Sequence, residues 1–168
     1  LQVDHEDIAE NVWHNPDEIP ANGIDDDGNG YIDDTHGWSF MQGNGQVSDL
    51  HGHGTHVAGT IAAVGNNGIG IIGIAPKTHV LPIQGLDQNG SGSHAQLIES
   101  IYYAVQMGAD VINMSWGGYH YSRAIKQAVD YAYDSGVVLI AAAGNDATNA
   151  SYHYPSGYEN VISVGAIN

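Results

Sequence analysis

Residues 51–64 read HGHGTHVAGTIAAV, a stretch in which three histidines precede a run of small apolar side chains. The small apolar residues predict a buried helix over residues 53–64, and the glycines and asparagines of residues 65–68 predict its end. A histidine at the amino end of a helix is held near its neutral form by the helix dipole. The stretch leaves open whether these histidines transfer protons or bind a metal.

The rest of the chain alternates between apolar runs and amphipathic segments. Residues 1–50 are polar, acidic and rich in glycine, asparagine and proline, which predicts loops. Further on, helices are predicted at 93–107 and 122–134, and strands at 79–86, 110–116, 137–143 and 161–166. Strands that are apolar on both faces and separated by helices predict a three-layer α/β fold, in which a mostly parallel sheet has helices on both faces.

Both amphipathic helices have the expected end signals. Ser93 is a predicted N-cap, and Gly108 lies just past the end of the first helix. Gly136 lies just past the end of the second. The buried face of the second helix is predicted to consist of Ile125, Ala128, Val129 and Ala132.

Composition limits the possible functions. A chain of 168 residues with 42% hydrophobic residues fits one domain, residues 1–168, and it has no apolar run of the ~20 residues that a membrane span requires. Three basic against nineteen acidic residues give a formal charge of −16, which argues against nucleic acid as a partner. There is no cysteine, and the first residue is Leu rather than Met without a signal-peptide pattern, so we expect a processed or excerpted chain.

Four ordered motifs carry a resemblance to a known family. Residues 53–60, HGTHVAGT, resemble the histidine motif of subtilisin-like serine proteases, and residues 141–145, AAAGN, resemble the oxyanion-asparagine segment of that family. Residues 113–118, NMSWGG, resemble its substrate-edge strand, with Trp where Leu is commoner. Residues 1–8 resemble the segment directly after the Asp-Thr-Gly of the family. The resemblance is collinear over the whole chain and implies a subtilisin-like catalytic domain.

The resemblance implies a role for individual residues. His53 would be the general base of a serine endopeptidase, and Asn145 would donate its side-chain amide to the oxyanion. An extended peptide or protein substrate would be bound by two segments and by the wall of a roomy primary pocket for large apolar side chains. These substrate-binding positions are Ser115, Trp116 and Gly117 on one side, Gly90, Ser91 and Gly92 on the other, and Ala142, Ala143 and Gly144 in the pocket. The family also implies a secreted protein that is a monomer when complete.

The catalytic aspartate and serine of the family have no counterpart in residues 1–168. The aspartate would fall shortly before Leu1, and the nucleophile motif Gly-Thr-Ser would come after Asn168. We therefore expect a partial catalytic domain that is inactive alone. Asp49 precedes His53 on a loop and is predicted to be solvated, whereas His56 is predicted to give structural support.

Zinc binding is the alternative interpretation of the three histidines. His51, His53 and His56 have a spacing that occurs in zinc-dependent hydrolases, and three imidazoles are suitable zinc ligands. However, Thr55 stands where a two-zinc site of that kind has an aspartate. The zinc hydrolase is retained as an alternative function.

Two loops suggest structural calcium. One matches part of a calcium-loop pattern with ligands at Asp25, Asp27, Asn29, Tyr31 and Asp33. Its closing position is His36 instead of Glu, so Asp33 or Asp34 would supply the last carboxylate. The other loop resembles the calcium loop of the family, with ligands from Asn67, Ile69 and Ile71. These loops also leave a non-catalytic calcium-binding module as an alternative.

Overall fold

A computed structural model describes residues 1–167 of the chain. It divides into two compact units, Leu1–Gln96 and Leu97–Asn168, each of which has its own parallel sheet. Among the described residues, no helix combines the length and the apolar character needed to cross a membrane.

The first unit contains a short parallel sheet and one long helix. Strands β1 (Trp38–Ser39) and β2 (Ile83–Gln84) pair with Trp38 opposite Ile83. The predicted strand 79–86 is thus shorter than expected, although Val80 forms a separate parallel bridge with Val12. Pro82 lies between the bridge and β2 and has no N–H to donate, which accounts for the break.

Helix α1 (His53–Ala62) begins at the first residue of the predicted helix. Its N-cap, Gly52, has a φ of 86°, a conformation that glycine adopts without a steric penalty. Ala58 on α1 packs with Ile8 and Val12 in the core of this unit. A 3-10 helix, Ala9–Asn11, lies between those two core residues in the sequence.

The second unit contains a parallel sheet of three strands in the order β3-β4-β5. These strands are β3 (Val111–Met114), β4 (Val138–Ala142) and β5 (Val161–Val164). Helix α3 (Arg123–Asp134) packs on this sheet through the predicted face, and its four predicted core residues are all buried. A 3-10 helix, Ala150–Tyr152, precedes β5.

The capping signals in the sequence are present in the structure. Helix α2 (His94–Gln106) begins in the first unit and continues into the second. Ser93 Oγ accepts a hydrogen bond from Gln96 N at 3.3 Å, and Gln96 Oε1 accepts one from Ser93 N at 3.0 Å, which is a reciprocal capping box. Ser122 caps α3 by accepting from Ile125 N. Parallel strands alternating with helices confirm the predicted α/β class.

Candidate functional site

His53 is the first residue of α1, and its side chain is exposed. Within residues 1–167, its imidazole forms no ion pair with a carboxylate; its described ring neighbour is His51, with centroids 6.1 Å apart. The position combines access to solvent with the positive end of the helix dipole. His53 is therefore open to solvent at the amino end of α1.

Asp49 organises the amino end of the helix that carries His53. One carboxylate oxygen accepts from the backbone N–H of Thr55 and from its hydroxyl, each at 2.7 Å. The other accepts from His51 N at 3.1 Å and Gly52 N at 2.7 Å. Burial by itself would raise the pKa of Asp49, but the hydrogen bonds from Thr55 and Gly52 outweigh it and hold this pKa well below its usual range. The prediction that Asp49 is solvated was wrong.

The three histidines do not converge on a common point. In the part of the chain that the structure describes, the three side chains whose potential ligand atoms lie within 4.8 Å of one another are acidic. His51, His53 and His56 do not form such a group. A zinc ion needs its nitrogen ligands at about 2.0–2.1 Å, so they must lie close together. The geometry gives the zinc interpretation no support.

Asn145 lies just beyond the carboxyl end of β4. Gly144, with a φ of 88°, makes the turn that leads to it, and the Asn145 side chain is exposed. Ala143 N donates to Val164 O at 2.8 Å, which holds the segment before the turn against β5. In the described residues no hydrogen bond engages the Asn145 amide, so its N–H groups are accessible to a ligand.

The predicted substrate edge comes directly after β3, which is an outer strand of its sheet. Gly118 is paired with Tyr154 by two backbone hydrogen bonds of 2.9 and 2.7 Å. No such backbone bond involves Ser115, Trp116 or Gly117 within residues 1–167. The Trp116 side chain packs against the core of the second unit, so it is partly a core residue.

A buried imidazole lies between the predicted substrate edge and the predicted pocket wall. A Cβ added at Gly117 would come 2.2 Å from His153 Cε1, and one added at Gly144 would come 3.0 Å from His153 Cδ2. His153 is 6% exposed, and its Nδ1 is 3.1 Å from Ser156 Oγ. Sequence reasoning missed His153 because its position depends on contacts with two distant glycines.

The segment predicted to flank the other side of a peptide is a tight turn in the first unit. Asp87 Oδ1 accepts from Asn89 N at 2.8 Å and from Ser91 N at 2.9 Å. Gly92 packs so closely that an added Cβ would lie 2.2 Å from Gly85 O. An added Cβ at Gly90 would be 4.0 Å from His51 Nε2, so the turn lies near the start of α1.

Comparison with known proteins identifies the family. A model described as Subtilase family matches residues 1–168. The chain belongs to the subtilase family. Subtilases are serine endopeptidases.

Individual relatives agree with the family match. The chain is 48% identical to subtilisin DY of Bacillus licheniformis over 134 residues, which are 78% of this chain and 48% of that protein. It is 44% identical to thermitase of Thermoactinomyces vulgaris over 77% of this chain and 46% of thermitase. It is also 42% identical to the minor extracellular protease Epr of Bacillus subtilis, over 79% of this chain and 20% of Epr. The chain thus spans about half of the first two relatives, and less of the third.

The predicted calcium loop after α1 of this subtilase is joined to the start of the chain by Asp7. Its Oδ1 accepts from Asn67 Nδ2 at 2.8 Å, and its Oδ2 accepts from Ile71 N at 2.9 Å. These bonds lower the pKa of Asp7, and the bond from Asn67 has a larger effect than the bond from Ile71. Asp7 was missed as a possible ligand because 60 residues separate it from Asn67.

The acidic loop is organised differently from the linear pattern. Both carboxylate oxygens of Asp25 accept backbone hydrogen bonds, from Asn29 and Gly30, and those of Asp33 accept from Asn22 and Gly23. Of the predicted ligands, Asp27 lies with Asp34, the alternative closing carboxylate, and with Glu18, which was not predicted. Coordination by Asp25, Asn29, Tyr31 and Asp33 stays a prediction.

Proposed function

We propose that the chain is the part of a serine endopeptidase catalytic domain that supplies the general base and one oxyanion donor. The observation that carries the proposal is His53, which is exposed at the dipole-positive end of a helix that Asp49 fixes in place. In this role His53 takes the proton of a serine hydroxyl as that hydroxyl attacks the peptide carbonyl, and then gives it to the leaving amine. The serine and the carboxylate that orients His53 would come from flanking segments of a longer protein.

The position of Leu1 supports this assignment of the carboxylate. A Cβ added at Gly54 would lie 3.3 Å from the backbone nitrogen of Leu1. A segment leading into Leu1 would therefore run next to α1 and its first residue, His53. The nearby acidic residues Asp7 and Asp49 have other partners, in the loop after α1 and in the first turn of α1.

Asn145 would stabilise the negative charge that develops on the carbonyl oxygen. Its side-chain N–H groups are exposed just after β4 and have no partner in the described chain. A fixed donor of this kind acts mainly in the transition state, where the oxygen carries most charge.

An extended peptide would bind along residues 115–117. These residues come after an outer strand and leave their backbone groups unpaired in the described chain, so a peptide can add to them as a further strand. The turn containing Gly90, Ser91 and Gly92 would contact the other side of the peptide. The primary pocket, which receives one side chain of the substrate, would be lined by Ala142, Ala143 and Gly144.

Calcium would be structural, and the loop after α1 fits it. The Asp7 carboxylate and the Asn67 side chain are in contact, and backbone carbonyls of Ile69 and Ile71 belong to the same loop. Oxygen donors of these kinds are the ones that calcium prefers. The Asn67 amide now presents its nitrogen to Asp7, so it would have to turn for its oxygen to bind the same ion.

We also propose that the protein is secreted and that it is a monomer when complete. One relative of similar sequence is named an extracellular protease, and the acidic composition favours a dispersed, self-repelling protein.

The decisive experiment compares two histidine variants in a full-length protein that contains this chain. We expect His53→Ala to remove nearly all peptidase turnover, while His51→Ala, a neighbouring exposed histidine, keeps most of it. The 168-residue chain alone should not react with serine-directed phosphonylating reagents, because it lacks an activated nucleophile. Loss of activity in both variants and on chelation of zinc would favour the metal-dependent hydrolase. A full-length protein without peptidase activity that still binds calcium would favour the binding module.

A further inference from the structure

The buried His153 imidazole places one of its nitrogens beside both predicted substrate-binding segments of the second unit. A Cβ added at Gly117 would lie 2.9 Å from His153 Nε2, and a Cβ added at Gly144 would lie 3.2 Å from the same atom. The ring therefore occupies the space next to both glycines, and Nε2 is the polar atom that it presents there.

The hydrogen bonds of Ser156 determine which nitrogen of the neutral ring carries the hydrogen. Ser156, which is 5% exposed, donates its hydroxyl hydrogen to His153 O at 2.9 Å. A hydroxyl has one hydrogen to donate, so Ser156 Oγ can only accept from His153 Nδ1, which lies 3.1 Å away. The neutral imidazole thus carries its hydrogen on Nδ1, and Nε2 is left as a hydrogen-bond acceptor.

The acceptor Nε2 is open to a ligand. Within residues 1–167, the His153 ring makes its hydrogen bond through Nδ1, and none involves Nε2. The enclosed side-chain oxygen or nitrogen that lacks a partner in this range is Glu18 Oε2, so His153 Nε2 is not sealed from solvent. The Tyr119 ring packs against His153 with centroids 5.3 Å apart, but the Tyr119 hydroxyl donates to the Asp146 carboxylate instead. A donor on a bound substrate would therefore meet an acceptor without a competing partner.

We propose that His153 is a specificity-determining residue whose Nε2 accepts a hydrogen bond from the substrate side chain in the primary pocket. The substrate class is a peptide with a hydroxyl side chain, serine or threonine, at the cleavage position. A short side chain fits because the imidazole already fills the space beside Gly117 and Gly144, and a hydroxyl supplies the hydrogen that Nε2 lacks. This inference rests on the proposed endopeptidase function, and it differs from the large apolar side chains that the family resemblance implies.

Paired peptides test the assignment in a full-length protein that contains this chain. The peptides differ only at the cleavage position, and kcat/KM is measured at a pH of about 8, where imidazoles in water are neutral. We expect serine to be preferred over alanine, and threonine over valine, by about 3–10-fold, which is the effect of one hydrogen bond. Aspartate, which at this pH only accepts hydrogen bonds, should be cleaved more slowly than alanine.

Two sites of substitution separate the hydrogen bond from the volume of the ring. His153→Phe keeps a ring but removes both nitrogens, so the ratio of kcat/KM for serine over alanine should fall to about one. Ser156→Ala removes the group that fixes the hydrogen on Nδ1, so the same ratio should fall at least about twofold. Ser156→Thr keeps the hydroxyl and should restore the ratio. Thermal melts show which variants are folded, and Ser156→Ala decides if His153→Phe is not.

The results distinguish this assignment from the proposed function. Equal kcat/KM for both members of each peptide pair in an active protein would overturn the role of His153 and leave the endopeptidase function standing. A preference for serine that persists in folded His153→Phe would do the same. A full-length protein that hydrolyses none of the peptides would overturn the endopeptidase function and the assignment with it.

Discussion

Asp49 and Thr55 are joined by two hydrogen bonds from a single carboxylate oxygen, one to the backbone N–H and one to the hydroxyl of Thr55, each 2.7 Å long. This contact satisfies a free N–H in the first turn of α1 and places a negative charge at the positive end of the helix dipole. His53 is in the same turn. The orientation of the proposed base therefore depends on Asp49.

Replacing Asp49 should destabilise the first unit. We expect Asp49→Ala to lower the free energy of unfolding by about 0.5–2 kcal/mol, the range for loss of a helix-capping side chain. Chemical denaturation followed by circular dichroism measures the change. Asp17→Asn, an exposed carboxylate, is the control and should have little effect. A stability equal to that of the wild type in Asp49→Ala would show that the carboxylate does not brace α1.

The Asp49 carboxylate should make the free energy of unfolding depend on pH in the acidic range. Because the folded-state pKa of Asp49 lies below its unfolded value, its contribution is fully present above a pH of about 4 and is lost as the pH falls through the folded-state pKa. The difference in unfolding free energy between the wild type and Asp49→Asn should therefore shrink as the solution is acidified below about pH 4. Urea midpoints of the two proteins across this range provide the measurement. A constant difference would contradict the assignment.

Asp7 should govern the calcium response of the loop after α1. Calcium at a hundredfold excess over its dissociation constant stabilises a folded protein by about 2.7 kcal/mol per site. We expect the calcium-dependent rise in thermal midpoint to be smaller in Asp7→Asn, because this variant removes the charge of a proposed ligand that contacts Asn67. Asp4→Asn removes an exposed charge nearby and should keep the full response. The same rise in both variants would exclude Asp7 as a ligand.

The sequence predicted those features of the fold that depend on local order. Helices α2 and α3 follow from their apolar periodicity and, for α2, from the Ser93 cap, which acts within one turn; the Ser122 cap of α3 was not predicted. Strand β1 was not predicted, because two residues carry no periodic signal and Trp38 is held by pairing with Ile83. Local pattern therefore identified most elements, but not the short strand.

In the candidate site too, residues in local motifs were predicted, whereas residues that depend on distant contacts were not. The resemblance identified His53 and Asn145 as individual positions, because each belongs to a contiguous motif. Side chains that act across long separations were missed: Asp7 with Asn67, Glu18 with Asp34, and His153 with Gly117. No spacing rule links such pairs, since they meet only after the chain has folded.

Asn145 should affect the chemical step more than substrate binding. In a full-length active protein we expect Asn145→Leu to lower kcat by about 10²–10³-fold, the magnitude known for the oxyanion-hole asparagine of a subtilisin, with little change in KM. The hydrogen bond from Asn145 would form mainly in the transition state, so its loss should lower kcat and leave KM nearly unchanged. Steady-state kinetics on a peptide substrate measure both constants. An unchanged kcat, or an effect confined to KM, would remove Asn145 from the oxyanion role.

His153 should set the size of the side chain that the primary pocket accepts. Its imidazole fills the space next to Gly117 and Gly144, so His153→Ala would leave room beside the predicted pocket wall. In the same full-length protein, we expect the ratio of kcat/KM for a large aromatic side chain over alanine at the cleavage position to rise about tenfold or more, because each added methylene in an apolar pocket is worth about 10–200-fold. Ser156→Ala is the matched control, since it removes the oxygen 3.1 Å from His153 Nδ1 but leaves the ring in place. A parallel thermal melt of each variant shows whether the buried substitution has unfolded the protein. An unchanged ratio in a folded His153→Ala variant, or an equal rise in Ser156→Ala, would mean that the imidazole does not limit the pocket.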